Sequence, residues 1–94
     1  MKISEVTVGD IKNYVLVTHN EDDTLFQSIL TASKQYIQGY TGLSAETMDL
    51  KEDLTMALFV ISTELYDNRA FSVESDKINP FIRSVLQMHS INLL

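Results

Sequence analysis

Four stretches of the chain repeat apolar residues at three- and four-residue steps, the spacing that gathers them on one face of a helix. The clearest runs through Leu25, Ile29, Ala32, Tyr36, Ile37 and Tyr40, and Phe26 and Leu30 widen its stripe beyond a contact between two helices. Asn20 is the expected N-cap, with Glu21, Asp22 and Asp23 in the first turn, where negative charge suits the helix dipole. Thr41-Gly42 supplies the stop, because glycine takes the left-handed conformation that closes a helix. A second long stretch uses Leu50, Leu54, Ala57, Leu58, Ile61, Leu65 and Tyr66 and is expected to end near Arg69. Its middle, MALFVI at residues 56–61, is apolar nearly all round. Such a helix is either the centre of a core or lies under a partner.

Two shorter helices flank these. Thr7 followed by Asp10 resembles a capping box, with Asp in place of Glu, and Val8, Ile11 and Val15 follow with Tyr14 alongside. The β-branched character of residues 14–18 ends this helix near Val15. Towards the other end, Asn79 caps a helix whose first position is Pro80, where the missing N–H costs nothing. Its apolar face is Ile78, Phe81, Ile82, Val85 and Leu86. Beyond His89 the tail carries Ile91, Leu93 and Leu94, although chain ends normally fray into water. Residues 43–47 and 71–77 are expected loops. The pattern therefore predicts an all-α fold: one small four-helix domain over residues 1–94. Two long antiparallel helices form its body, with a short N-terminal helix and a C-terminal helix ending in an apolar tail.

Composition adds limits. A 94-residue chain buries only roughly 60–65% of the surface it exposes unfolded, and oligomerisation is a common remedy at that size. Three glycines and one proline argue against a turn-rich β fold. Thirteen acids against seven scattered bases give a net charge of −6, which repels phosphate backbones and anionic membrane surfaces. With no cysteine there is neither a disulfide nor a thiolate metal site. The N-terminal residues lack the apolar core of a signal peptide, and residues 56–61 are too short a run to cross a bilayer.

Candidate chemistry is thin. His19 with Glu21, Asp22 and Asp23 fits no well-defined ligand spacing, and an acidic helix start accounts for the cluster. Glu64, Asp67 and Arg69 place two carboxylates on one helix face, with no companion nucleophile, oxyanion site or glycine-rich loop. No catalytic residue, metal or cofactor is expected. Tyr36 and Tyr40 read as core residues with hydroxyls at the surface, or as interface anchors. The apolar tail either folds back on the core or docks into a partner.

Taken in order, several pieces resemble the head–tail connector (adaptor) proteins of long-tailed bacteriophages. They are Asp22-Asp23 followed by Leu25 and Ile29, residues 32–42 with YIQGYTG, a long apolar helix closing on LYDNR at residues 65–69, and the C-terminal run INPFIRSVLQMHSINLL. The resemblance spans nearly the whole chain, and its specificity lies in joint order and spacing, since each motif is short.

It implies a virion protein at the head–tail interface, present in the bacterial host cytoplasm during assembly. Its subunits would form a homo-oligomeric ring of about twelve copies. The ring would dock beneath the portal protein, extend the DNA channel and offer a platform to a tail-side stopper. DNA is then only passing cargo, and no membrane is involved. On this basis Phe81, Val85, Met88, His89, Ile91, Leu93 and Leu94 are the expected portal-side contacts. Phe26, Leu30, Tyr36, Tyr40, Phe59 and Arg69 are the expected ring contacts. Residues 43–49 and 71–77 depart from the family's pattern and leave the stopper-side contacts unassigned. The alternative is a small acidic helical regulator or adaptor that binds a single protein partner.

Overall fold

The computed structural model describes residues 1–68 and 80–89, with side chains at 1–67 and 84–89. All the regular elements in these residues are helical. A single 3₁₀ turn, Ile3–Glu5, precedes α1 (Val8–Val15), α2 (Asp23–Thr41), α3 (Ala45–Met48), α4 (Glu52–Asn68) and α5 (Pro80–His89).

The expected capping box opens α1. The Thr7 N–H donates to Asp10 Oδ2 (2.9 Å), and the Asp10 N–H donates back to Thr7 Oγ1 (3.2 Å), so two otherwise unpaired helix donors are satisfied. The helix closes at Leu16, held in the left-handed region at φ 63°. Glycine closes α2 as expected: Gly42 sits at φ 73° and its N–H donates to the Gln38 carbonyl (2.8 Å). The start of α2 lies later than Asn20. Its N-cap is Asp22, while the Asn20 side chain instead accepts from Lys12 Nζ (2.7 Å), which also pairs with Asp23 (2.7 Å).

Two expectations between the long helices change. The segment expected as a loop contains the one-turn helix α3, because Ser44 Oγ accepts the Thr47 N–H (3.2 Å) and Met48 is buried beneath it. Leu50, expected on the apolar face of the second long helix, falls in the turn before α4 and is 77% exposed. The described residues thus hold five α-helices rather than four. Arg69, the expected end of α4, and Asn79, the expected cap of α5, lie outside the described residues.

The long helices α2 and α4 form the body and run antiparallel, early α2 meeting late α4. At one end Phe26 stacks on Tyr66 (centroids 4.5 Å apart), and the Tyr66 hydroxyl donates to Asp22 (2.8 Å). Further along, the fully buried Ser33 and Ser62 face each other with hydroxyls 3.2 Å apart. Small side chains there let the helices approach closely, and one hydroxyl donates to the other across the seam. Phe26, Ile29, Leu30 and Ile37 from α2 meet Leu54, Ala57, Leu58, Ile61 and Leu65 from α4 in one core. The centre of the buried α2 face is therefore Phe26–Leu30–Ser33–Ile37, rotated from the stripe through Leu25, Ala32, Tyr36 and Tyr40, which are half-buried.

Helices α1 and α5 each pack on both long helices. From α5, Val85 and Leu86 enter the core, and His89 Nε2 meets Asp53 at the start of α4 (2.7 Å), so α5 runs antiparallel to α4. The N-terminal turn is tied to the same end of α4. Thr55 Oγ1 donates to the Met1 carbonyl (2.9 Å), and Ser4 donates to Asp49 through both its N–H (3.0 Å) and its hydroxyl (2.7 Å). These two bonds hold the Asp49 carboxyl below its ordinary range, with smaller attraction from Lys2 and Lys34.

Candidate functional site

The acidic cluster and histidine at the start of α2 are occupied in hydrogen bonds and an ion pair. Asp23 is paired with Lys12, Asp22 accepts from Tyr66, and His19 Nδ1 accepts the Glu21 N–H (3.3 Å). Among the described residues no group of three His, Cys, Asp or Glu side chains could hold a metal ion. No helix among them is long and apolar enough to cross a membrane. Asp67 is exposed and Glu64 half-buried, while Arg69, weighed with them, lies outside the described residues.

The noteworthy surfaces are helix faces. Helix α4 turns its inner side to α2, yet its outward side still carries Met56, 49% exposed, with half-buried Phe59 and Val60. Tyr14 from α1 stacks on Phe59 (centroids 5.1 Å, 28° between planes) and is itself exposed, extending the apolar strip sideways. Every charged residue of α4 is an acid: Glu52, Asp53, Glu64 and Asp67. Glu52 and Asp67 are exposed on the same outward side as Met56.

The outward face of α2 has a different character. Thr24, Gln27, Ser28, Thr31, Gln35 and Gln38 are all exposed and all uncharged. Between Thr24 and Thr41 the sole charged residue is Lys34, half-buried at the edge of this face. These six exposed positions give α2 an outer face that carries no charge along its length. Charge depletion is the compositional mark of an interface centre, because desolvating a charge is expensive.

The expected contact residues separate into groups. Phe26 and Leu30, expected at a ring contact, are in the core, as is Val85, expected at the portal side. Their side chains face other helices of the same chain, so they shape an interface only indirectly. Tyr36 and Tyr40 are half-buried neighbours with ring centroids 6.1 Å apart, and Phe59 is half-buried on the α4 face. Met88 projects from α5 and is 76% exposed, while His89 is held by Asp53. Phe81 lies on α5, its side chain outside the described ones, and Ile91, Leu93 and Leu94 are outside the described residues altogether.

Sequence reasoning passed over Tyr14 and Met56 as surface residues. The all-round apolar character of MALFVI signalled that one side would be left uncovered, without saying which. The uncharged run of α2 was also visible in the letters, but a helical reading that follows apolar positions ignores the polar ones.

A family model described as phage gp6-like head-tail connector protein matches residues 5–87, from the end of the 3₁₀ turn into α5. No curated protein and no solved structure matches the chain.

Proposed function

Because this chain belongs to the phage gp6-like head-tail connector family, we propose that it is the repeating subunit of a ring that docks beneath the portal and extends the DNA channel. The family match over residues 5–87 carries this reading, since it takes in nearly the whole helical body. Apolar side chains left at the surface of an already closed core, Met56 on α4 and Met88 on α5, support it. A subunit in a closed ring of about twelve copies needs two different patches for its neighbours. It needs a further surface for the portal and another for the tail-side protein.

The portal-side surface is assigned to the outward side of α5 with Met88, and to the segment that follows, where Ile91, Leu93 and Leu94 serve as apolar anchors. DNA passes without being gripped. The seven bases are scattered singly along an acidic chain, so the sequence offers the channel no run of cations on which phosphates could lodge.

Electron microscopy of the chain mixed with candidate portal proteins tests the proposal. A ring stacked on the portal is the expected result. Complexes of one chain with one partner would overturn it in favour of a small acidic regulator. Deleting residues 91–94 is expected to abolish docking while the helical circular dichroism signal survives.

A further inference from the structure

We infer that neighbouring subunits meet head to tail, the apolar strip of α4 on one copy seating against the uncharged outer face of α2 on the next. The inference rests on the ring reading above and adds the surfaces that close it.

Like charge limits which surfaces can meet. Each copy carries −6, so a ring concentrates like charge, and contact is favourable only where the local surfaces do not oppose acid to acid. On α4 the apolar strip Tyr14–Met56–Phe59–Val60 has burial to gain, but Glu52 and Asp67 rim it. Two α4 faces placed together would set those carboxylates against their own copies. Two α2 faces placed together would oppose Lys34 to Lys34 and bury almost nothing apolar. The mixed pairing avoids both penalties. It covers the α4 strip with a surface that has no charge to desolvate, and it brings the cation of α2 to a rim made of acids.

Placement agrees. The two helices pack through their inner sides: Ser33 faces Ser62, Phe26 stacks on Tyr66, and Leu30, Ile37, Leu54, Leu58 and Ile61 share the same core. Their outer faces therefore point away from each other on opposite sides of the pair. A contact between two different faces on opposite sides of one subunit repeats from copy to copy and closes when the rotation allows. The uncharged α2 face also suits a channel wall. That arrangement leaves the α4 strip uncovered, which is why the subunit contact is preferred.

The chain contains no cysteine, so the pairing can be tested with introduced thiols. A chain carrying both Thr31→Cys and Met56→Cys is assembled into phage particles and treated with a bismaleimide. The expected product is a ladder of covalent multiples of the chain, absent from either single variant, while mixed single variants stop at dimers. In the particles a bulky maleimide is expected to label either cysteine an order of magnitude more slowly than in the free chain. Dimers from Met56→Cys alone, or full-rate labelling of Cys at position 31 in particles, would overturn the inference. The second result would place the α2 face in the channel. Particles that contain the chain as a ring yet give no ladder would overturn this pairing and leave the ring standing. Wild-type chain missing from particles would overturn both. Should the double variant fail to incorporate, Thr31→Glu and Thr31→Gln decide. The added carboxylate is expected to exclude the chain from particles and the amide to be tolerated; equal incorporation of the two overturns the pairing.

Discussion

Helices α2 and α4 are nearly equal in length and lie against each other, yet their outer faces have opposite characters. The outside of α2 is polar and without charge, and its inside is apolar with a serine at the centre. The outside of α4 is partly apolar, and every charge on that helix is negative. The polar far side of α2 restricts how that helix can pack, although its buried face is centred on Ser33, rotated from the stripe through Ala32 and Tyr36. An all-round apolar helix sets no such restriction, and the core can use only part of what the helix offers. What is left over is then available to a partner, and in α4 that remainder is Met56, Phe59 and Val60.

Core and surface positions on the two helices should therefore respond very differently to truncation. Phe26→Ala removes a fully buried ring stacked on Tyr66 and is expected to cost about 3–5 kcal/mol in urea unfolding. Met56→Ala on the outward side of α4 is expected to change stability by no more than about 0.5 kcal/mol. Similar losses for both would mean that Met56 belongs to the core and that the contrast between the helices is false.

The seam where the helices meet offers a finer test. Ser33→Ala leaves the buried Ser62 hydroxyl without its facing partner, at an expected cost of about 1–3 kcal/mol. Replacing both serines by alanine should cost less than the sum of the single changes, and a double-mutant cycle reads the difference. Strict additivity would show that the two hydroxyls do not interact.

Much of this architecture was legible from the letters, and the failures have local causes. Thr7 with Asp10, Gly42 and Pro80 placed three helix ends correctly, because each forces one backbone geometry or satisfies one set of helix donors. Asn20 was a sound cap in isolation, but a lysine eleven positions before Asp23 took both side chains, a tertiary effect no window reveals. Spacing alone puts Leu50 on a helix, and the extra turn at Ala45–Met48 leaves it at the surface instead. Ser33 was invisible to a search for apolar positions, although it lies at the middle of the buried face. Among the candidate contacts, Phe26, Leu30 and Val85 proved to be core residues, because exposure depends on what the other helices cover. Phe59 and Met88 stayed at the surface, where the first is half covered by Tyr14 and the second is bare.

The smallest expected effect concerns the corner that leads into α4. Ser4 holds the Asp49 carboxyl below its ordinary range, so the folded chain binds that proton less readily than the unfolded chain. The resulting stabilisation is present above the unfolded-state value and disappears as pH falls through the folded-state value. Asp49→Asn is expected to lower Tm slightly at neutral pH and to flatten the decline of Tm below about pH 4. An unchanged acid profile would show that the Ser4 contact plays no part in positioning the start of α4.

That corner also bears on how the chain comes together. The bonds from Ser4 to Asp49 and from Thr55 to Met1 join residues 45 and 54 positions apart. Closing so long a loop costs entropy before the contacts compensate for it. The Tyr66–Asp22 bond between α2 and α4 spans 44 positions, so its closure costs nearly the same entropy as that of the N-terminal corner. The corner and the pairing of the long helices are therefore expected to form within one cooperative transition, so that loosening either weakens the other.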